Sequence, residues 1–351
     1  MILCPGSCCC PGFFVIFVGM RIEHDYDLSA QNTFRMKVKC ACYIEYGSVE
    51  ELVGLDFASL PQPVRHIGGG SNLLFTKDFP GTILHSAIKY VKYVDMGLDE
   101  VPVVVGAGVV WDDLVAELCG HGLWGAENLS LIPGEVGAAA VQNIGAYGVE
   151  FKDIVSGVSC YDLVERKPCK FTVAECGYGY RESMFKEAAG RYVITSVLLR
   201  LSRSPKPRLE YKGLAGIDAS SPQAVREAVI AIRQGKLPDP AELGSAGSFF
   251  KNPVVSAVDF ARIIDAVPGV TVPHFILPNG MVKVPAAFLI DQCGLKGERE
   301  GGAAVYEKQP LVIVNASGSA TPADVLELER RVIATVHEKF GVSLHPEVEH
   351  I

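Results

Sequence analysis

Apolar side chains recur at helical spacing in three segments of the second half of the chain. In the first, Ser221 is suited to cap a helix, Pro222 to occupy its first position and Gly235 to end it. The apolar face of this segment consists of Val225, Ala228, Val229 and Ile232. Similar patterns predict a helix over 322–340, capped by Thr321 and closed by Gly341, and another helix after Pro285.

Runs of β-branched residues predict strands at 101–105 and 192–201. Ser48 and Glu51 have the spacing of a capping box and predict a helix that ends near Leu55. Strands and helices are grouped along the chain rather than strictly alternating, and no internal repeat is present. This grouping is typical of an α+β protein.

The 351 residues of the chain are enough for two or three domains. The stretch KLPDP at 236–240 is typical of a rigid linker, so we place a domain boundary there. Hydrophobic residues make up 49% and charged residues 21%, as in a globular protein with an ample core. A net charge of −8 without a basic stripe argues against a nucleic-acid surface, although a few placed cations can still bind an anionic substrate.

The first 19 residues contain four of the eleven cysteines and an apolar run at 13–18. This run is too short to span a membrane, and no positive segment precedes it as in a secretory signal. We expect translation to begin at Met20 and 1–19 to be a non-native or disordered extension, which mass spectrometry of the amino terminus would test. The odd cysteine count without any CxxC pair favours reduced thiols, a cytoplasmic location and no metal centre.

The segment 125–150, GAENLSLIPGEVGAAAVQNIGAYGVE, combines five glycines with alanines and amides and has no Lys or Arg. Clustered glycine is costly unless the backbone needs positive φ or runs close against a bulky group. A loop whose own N–H groups face a ligand meets that condition. A solvated glycine-rich linker is the alternative, but the interspersed apolar residues disfavour it.

A second glycine loop, GGGSN at 68–72, lies between Ile67 and Leu73. Consecutive amides in a tight turn form a nest for an anion such as phosphate, to which Ser71 and Asn72 can add hydrogen bonds. A simple strand-to-strand turn is the alternative for this loop taken alone. Two such loops together favour one extended cofactor that carries phosphate.

The sequence VVVGAGVVW at 103–111 is a weaker signal for dinucleotide binding. It follows a strand but lacks the third glycine of the fingerprint, since Trp111 occupies that position. We therefore interpret 106–108 as a turn before a short helix over 112–119 that ends at Gly120.

Three polar residues have neighbours suited to chemistry. Arg181 lies among tyrosines and glycine, which suits a guanidinium that binds carboxylate or phosphate, or a surface arginine stacked on tyrosine. Ser248 lies between small residues and two phenylalanines, where it either donates a proton in a dry cationic pocket or caps a turn. Glu347 lies in an alternating apolar segment that favours packing against the body of the protein. His345 and His350 are interpreted as solvated or core histidines, and no convincing metal-ligand spacing is present.

Together these motifs resemble the UDP-N-acetylenolpyruvoylglucosamine reductase family, also called the UDP-N-acetylmuramate dehydrogenases. The matching blocks occur in family order from Asn32 to Val348. They are NTF, GGGSNLLF, GAENLSLIPG, VGAA, VQNIGAYGVE, GYRESMFK, KLPDP, GSFFKNP, LIDQCGLKG, GGAAVY and PEV. The NIGAYG and GSFFKNP blocks are highly specific.

The resemblance implies a two-part FAD-binding unit of the vanillyl-alcohol-oxidase type and a separate α+β substrate-binding domain. We expect the FAD-binding parts at 20–90 and at 91–237 with 341–351, and the substrate domain at 238–340. The resemblance also implies that NADPH reduces FAD, and that hydride then passes from flavin N5 to C3 of UDP-N-acetylglucosamine enolpyruvate. The product is UDP-N-acetylmuramate, for peptidoglycan synthesis. We expect a cytoplasmic monomer without a nucleic-acid or membrane partner.

By the same resemblance, Ser248 matches the proton donor to C2, and Arg181 and Glu347 match the groups that handle the substrate carboxylate and the developing charge. Glu347 would orient Arg181 or share the proton. The matching substrate-binding positions are Tyr211, Lys236, Lys251, Asn252 and Gln292. The matching FAD contacts are Gly68, Gly69, Gly70, Ser71, Asn72, Leu73, Gly125, Asn128, Ile132, Pro133, Gly134, Gly137, Ala138, Gln142, Asn143, Gly145, Ala146 and Tyr147.

Three positions depart from the family pattern: Arg35 replaces a common Gly, Glu135 a usual Thr, Ser or Cys, and Ala140 a common Pro. An acid at 135 is unfavourable beside a pyrophosphate unless it points away. Two other functions compete with the reductase. One is a different flavin oxidase of the same fold, which the GSFFKNP and PEV blocks disfavour. The other is a flavin-binding module without turnover, which the intact catalytic set disfavours.

Overall fold

The computed structural model of the chain describes residues 19–94 and 97–351, so the predicted extension lies outside the described residues except for Gly19. The first part contains β1 (Arg21–Asp27), β2 (Lys39–Tyr46), α1 (Val49–Val53), β3 (Val64–Ile67), β4 (Leu73–Leu74) and β5 (Phe79–Ser86). Its sheet has the order β1-β2-β5-β3, with β5 parallel to both neighbours and β1 antiparallel to β2. Ser48 caps α1 as predicted by accepting a hydrogen bond from the amide of Glu51, whereas the Glu51 carboxylate accepts from Gly47.

The second part is built on an antiparallel sheet of order β11-β10-β12-β7-β6. Its strands are β6 (Val91–Tyr93), β7 (Glu100–Gly106), β8 (Gly145–Ala146), β9 (Val149–Glu150), β10 (Val155–Asp162), β11 (Lys167–Thr172) and β12 (Tyr192–Ser202). Its helices are α2 (Trp111–Gly120), α3 (Val136–Gln142), α4 (Met184–Glu187) and α5 (Pro222–Lys236). The predicted strands at 101–105 and 192–201 and the helix at 112–119 are confirmed. Helix α5 runs one residue beyond Gly235, its predicted end.

The third part packs helices against small antiparallel sheets. Its strands are β13 (Ser245–Ser248), β14 (Val254–Val255), β15 (Phe275–Ile276), β16 (Val282–Lys283), β17 (Arg299–Glu300), β18 (Ala303–Val305) and β19 (Val312–Asn315). Its helices are α6 (Ala257–Asp265), α7 (Ala286–Gln292) and α8 (Pro322–Phe340). Helix α8 has both predicted caps, since the Thr321 hydroxyl accepts from the Asp324 amide and Gly341 adopts φ +68°.

The last residues bridge two parts of the molecule. Strand β20 (Glu349–His350) pairs in parallel with β4 of the first part. The sequence analysis placed 341–351 with the second part. The pairing of β20 with β4 instead connects these residues to the first part through backbone hydrogen bonds. The Glu347 side chain does reach the second part, where it contacts Arg181 and Gln142. The division into three domains at the expected boundaries stays a proposal.

Two large hydrophobic cores hold these parts together. One is shared by the first and third parts and includes Phe34, Leu74 and Phe249, which are at most 1% exposed. The other belongs to the second part and includes Trp111 and Val197. The segments that carry the candidate functional residues adjoin these cores. Phe249 and Val348 belong to the first core, and Val141 and Tyr178 pack against the second, so burial of apolar surface helps to fix their positions.

Candidate active site

A cavity of about 210 Å³ lies where the three parts meet. It brings together all three predicted catalytic residues, Arg181, Ser248 and Glu347. Seven predicted cofactor contacts also line it: Ser71, Asn72, Ile132, Pro133, Ala138, Gln142 and Gly145. The remaining lining residues are Trp111, Glu135, Ala139, Ile144, Arg233, Leu237, Ala246 and Gly247.

The 68–72 loop has the geometry of an anion nest. Gly70 has φ +64°, and a Cβ there would lie 2.0 Å from the carbonyl oxygen of Gln31, so only glycine fits. In the described part of the chain, the backbone amides of Gly69, Gly70 and Ser71 have no protein acceptor. Unsatisfied adjacent amides in a cradle that excludes side chains fit a phosphate group, in agreement with the predicted FAD site.

The two glycine-rich segments are tied directly to each other. The Ser71 hydroxyl donates a 2.9 Å hydrogen bond to the carbonyl of Pro133. A Cβ on Gly134 would lie 2.8 Å from that hydroxyl, and a Cβ on Gly68 would lie 3.0 Å from the Cβ of Ala138. These glycines are therefore required by close approach of the loops.

The 125–150 segment is not a continuous loop, and that part of the prediction is wrong. Residues 136–142 form helix α3 instead of the open turn that we expected, because the alanines of this segment have high helical propensity. Gly137 lets this helix approach the second sheet, since a Cβ there would lie 3.1 Å from that of Ala107. Asn143 then ends the helix in the left-handed conformation, with φ +44°.

Several predicted FAD contacts do not line the cavity. Asn143 is buried, and both polar atoms of its side chain are hydrogen-bonded within the protein. Its amide nitrogen donates to Glu150 and Gly179, and its oxygen accepts from the Lys152 amide. Asn128 donates to the carbonyls of Tyr147 and Arg208. The others outside the lining are Gly68, Gly69, Gly70, Leu73, Gly125, Gly134, Gly137, Ala146 and Tyr147. Their contact with FAD stays a prediction.

Arg181 and Glu347 form a half-buried ion pair at the cavity wall. The Arg181 Nε donates a 2.8 Å hydrogen bond to Glu347 Oε1, and an Nη atom donates to the carbonyl of Gly145 at 2.8 Å. The guanidinium also lies over the Tyr180 ring, 5.2 Å from its centroid. Arg181 has φ +59°, an unfavourable backbone conformation of the kind found at functional sites. The pair holds the guanidinium in one orientation and leaves one Nη atom for a ligand.

Ser248 ends β13 beside this ion pair. Its neighbour Gly247 has φ +71°, which turns the chain at the cavity. Within the described residues, the Ser248 hydroxyl has no hydrogen-bond partner, so it is available to a bound molecule. The following Phe249 and Phe250 are at most 1% exposed and belong to the core, and they anchor the serine.

The predicted substrate-binding residues lie around the cavity rather than in its lining. Asn252 donates to the Tyr180 hydroxyl at 3.3 Å and accepts from the Ala286 amide at 2.9 Å. Tyr211 is 46% exposed and lies against Tyr147, with ring centroids 5.3 Å apart. The others are Lys236, exposed at the end of α5, Lys251, 3.8 Å from Glu182, and Gln292, at the end of α7. Their roles stay predictions.

Arg233 is a lining residue that the sequence analysis missed. Its Nε atom is buried without a hydrogen-bond partner among the described residues, and burial lowers its pKa from the usual value. An unsatisfied buried guanidinium atom beside the cavity fits an anionic ligand. Its position on the face of α5 that carries Val229 was the available signal, since a cation there interrupts an apolar stripe.

The structure explains two of the three departures from the family pattern. Arg35 has φ +57°, the conformation that glycine adopts most easily, and its side chain donates to the Ala241 carbonyl. The Glu135 carboxylate is turned toward His85, with 2.8 Å between Oε1 and Nε2. Ala140 is fully buried in α3, and nothing in the structure explains the loss of proline there.

Comparison with known proteins decides the family. The FAD binding domain model matches residues 41–164, and the model of the UDP-N-acetylenolpyruvoylglucosamine reductase C-terminal domain matches residues 239–351. The chain is 48% identical to the UDP-N-acetylenolpyruvoylglucosamine reductase of Bacteroides fragilis over 336 residues, which cover 94% of this chain and all of that one. The chain belongs to this reductase family.

Other reductases of the family are similar to the chain over nearly its whole length. The Chromobacterium violaceum protein is 45% identical and covers 93% of this chain and 98% of its own. The crystal structure of the Thermus caldophilus reductase superposes with a TM-score of 0.67 at 27% identity, over 94% of this chain and 99% of that one. The predicted α+β fold, with an FAD-binding unit and a reductase C-terminal domain, is thereby confirmed, as is an FAD-dependent oxidoreductase.

The described helices differ in length or hydropathy from those that cross a bilayer. Across 19–94 and 97–351, none combines at least 18 residues with sufficient apolar character to cross a membrane.

Proposed function

We propose that the protein reduces UDP-N-acetylglucosamine enolpyruvate to UDP-N-acetylmuramate with NADPH, as a cytoplasmic monomer of peptidoglycan synthesis. The observation that carries this proposal is the convergence of Ser248 with the Arg181–Glu347 pair in one cavity beside an anion nest. An acid, a carboxylate-binding cation and a phosphate cradle are the three elements that this substrate and cofactor require.

The nest and the Ile132–Pro133 wall would hold FAD, which would supply the hydride chemistry between NADPH and C3 of the enolpyruvyl group. Side chains of the protein itself would donate the proton and bind the substrate carboxylate. Ser248 donates its hydroxyl proton to C2. Its position in the same cavity as the Arg181 guanidinium favours this transfer, because a nearby cation stabilises the alkoxide that remains.

Arg181 holds the substrate carboxylate through the Nη atom that Glu347 does not occupy. As hydride adds to C3, negative charge grows on the carboxylate side of the substrate, and the fixed guanidinium stabilises it without reorganising. Glu347 serves as the orienting partner, since its carboxylate accepts from Arg181 Nε and Gln142 lies within 3.4 Å of the same oxygen.

Replacement of Ser248 tests the proposed chemistry. Ser248→Ala should retain FAD and be reduced by NADPH at a near-normal rate. Reoxidation of its flavin by the enolpyruvyl sugar should slow by about 10²–10⁴-fold, because a positioned proton donor is lost. Anaerobic stopped-flow absorbance of the flavin separates the two half-reactions.

Ser245→Ala is the matched control, since Ser245 lies on the same strand but is buried outside the cavity lining. It should leave both half-reactions unchanged. Reoxidation of the Ser248→Ala flavin at the wild-type rate would exclude Ser248 as the donor. Wild-type flavin that NADPH reduces but the enolpyruvyl sugar never reoxidises would exclude the proposed substrate.

A further inference from the structure

A buried imidazole lies between two carboxylates next to the anion nest. His85 Nδ1 is 2.9 Å from Glu45 Oε2, and His85 Nε2 is 2.8 Å from Glu135 Oε1. The side chains of His85 and Glu135 are 8% and 11% exposed, and that of Glu45 is 21% exposed. We refer to these three residues as the His85 cluster.

The geometry of the His85 cluster favours a doubly protonated imidazole. A neutral imidazole carries only one N–H, yet both ring nitrogens of His85 face carboxylate oxygens at hydrogen-bond distance. An imidazole that donates to both carboxylates carries two protons. The His85 cluster then holds one proton beyond a neutral histidine and two carboxylates, and its net charge is −1.

The groups around His85 favour retention of that proton. Burial acts against a charged imidazole, but the hydrogen bonds and charges of Glu135 and Glu45 outweigh it and raise the pKa of His85. Tyr43 of β2 faces the ring with 6.2 Å between centroids. His66 of β3 is held 2.8 Å from the Tyr46 hydroxyl, and burial together with the charge of His85 lowers its pKa to about 3. The proton therefore resides at His85 rather than at His66.

The His85 cluster lies beside the nest. The second oxygen of Glu135 lies 3.3 Å from the point that a Cβ on Gly68 would occupy. His85 is the register partner of Ile67, the residue before Gly68, across the β3–β5 pair. Glu135 itself follows Gly134, the glycine that contacts Ser71. One carboxylate oxygen thus faces the first glycine of a loop built to hold phosphate.

We propose that the His85 cluster tunes FAD affinity by holding one proton that neutralises Glu135 beside the phosphate-binding loop. The proposal rests on FAD binding at the 68–72 loop, which belongs to the proposed function. With the proton present, Glu135 is paired and repels phosphate weakly. Without it, the His85 cluster carries a charge of −2 next to an anionic cofactor, and FAD binds less tightly.

The sign of the pH dependence follows from proton linkage. Bound FAD raises proton affinity at the cluster, so FAD and the proton bind cooperatively. FAD affinity is therefore constant at low pH and falls as pH rises past the raised pKa of His85. In the interval between the pKa values without and with FAD, the dissociation constant rises by at most about tenfold per pH unit.

The test measures FAD release on dilution of the full-length holoenzyme, by the recovery of flavin fluorescence, from pH 6 to 9.5. The wild type should lose affinity with rising pH. Glu135→Gln keeps a hydrogen-bonding partner for His85 but removes the charge beside the loop, so its dissociation constant should vary less with pH than that of the wild type. His85→Gln removes the proton site, so binding should weaken by about tenfold or more at pH 7, and adding Glu135→Gln should restore it.

Glu329→Gln is the control, because Glu329 forms another half-buried pair with a histidine, His350, at 3.1 Å outside the nest. It should keep the wild-type pH profile. A pH profile for Glu135→Gln equal to that of the wild type, or a His85→Gln protein that the second substitution does not rescue, would overturn the proposal while leaving the proposed reductase intact. A wild-type protein that retains no FAD would instead overturn the cofactor site itself.

Discussion

Two arginines on α5 lie two turns apart and have opposite surroundings. Arg226 makes a bidentate pair with Asp112, with distances of 2.6 and 2.9 Å, and its side chain is 9% exposed. Arg233 lines the cavity, and its buried Nε has no partner among the described residues. The guanidinium of Arg226 is thus paired with a carboxylate, whereas that of Arg233 has a buried nitrogen without a hydrogen-bond partner among the described residues.

We interpret Arg226 as a structural cation and Arg233 as a cation that binds a ligand. Asp112 also accepts from the amide of Leu131, a residue at φ +58° next to the cavity wall, so Arg226 fixes the frame of the site. Burial acts to raise the pKa of Asp112, but the hydrogen bonds from Arg226 and the Leu131 amide, together with the charge of Arg226, outweigh it and lower that pKa. Arg233 has no carboxylate partner among the described residues, and we expect its unsatisfied Nε atom to serve a ligand. Substitutions on α5 should therefore divide into effects on folding and effects on binding.

The largest effect is expected at Arg226. Arg226→Met leaves Asp112 half-buried and unpaired and should lower the free energy of unfolding by about 3–5 kcal/mol. Urea unfolding followed by circular dichroism measures this loss. Arg330→Met, which removes an exposed pair with Glu327, should change the midpoint little. Equal urea midpoints for the two variants would contradict a structural role for Arg226.

Arg233 should show an effect on ligand binding without one on folding. Arg233→Gln removes a charged hydrogen-bond donor and should weaken the anion held in the cavity by about 1.5–3 kcal/mol, or roughly 10–100-fold. FAD release on dilution and titration of the flavin absorbance with the enolpyruvyl sugar identify which ligand is affected. The urea midpoint should not fall. Unchanged affinity for both ligands would mean that the unpaired atom has no binding role.

The smallest effect is expected at Gly235, between Arg233 and the end of α5. It lies inside the helix, and a Cβ there would meet no atom within 4 Å. Gly235→Ala should therefore raise the free energy of unfolding by about 0.4–1 kcal/mol, by restricting the unfolded chain. The same urea experiment measures it. A destabilised variant would show that this position needs glycine for its backbone conformation, contrary to the structure.

The sequence predicted those features whose signals are local. Helix α8 was correct at both ends because Thr321, Asp324 and Gly341 each specify the local backbone. The nest was predicted because consecutive glycine amides followed by Ser71 and Asn72 suit an anion, and the second glycine loop favoured this over a simple turn. The placement of Arg181, Ser248 and Glu347 together came instead from the family resemblance, since 67 or more residues separate each from the next.

Other features depend on distant partners and had no local signal. Arg226 and Arg233 look alike in sequence, and only the position of Asp112 across the helix pair distinguishes them. The contact between His85 and Glu135 depends on how β5 packs beside the start of α3, which no nearby residue specifies. Helix α3 was missed because its glycine and alanines suit both a loop and a helix that packs closely.

The hydrogen bond from Ser71 to Pro133, with the glycines on either side, joins the two cofactor loops in the protein alone. Ordering a residue costs about 1–2 kcal/mol in backbone entropy. Because each loop limits the backbone freedom of the other, we expect this contact to lower the ordering cost of cofactor binding. Ser71→Ala, which removes the hydrogen bond, should therefore slow the capture of FAD.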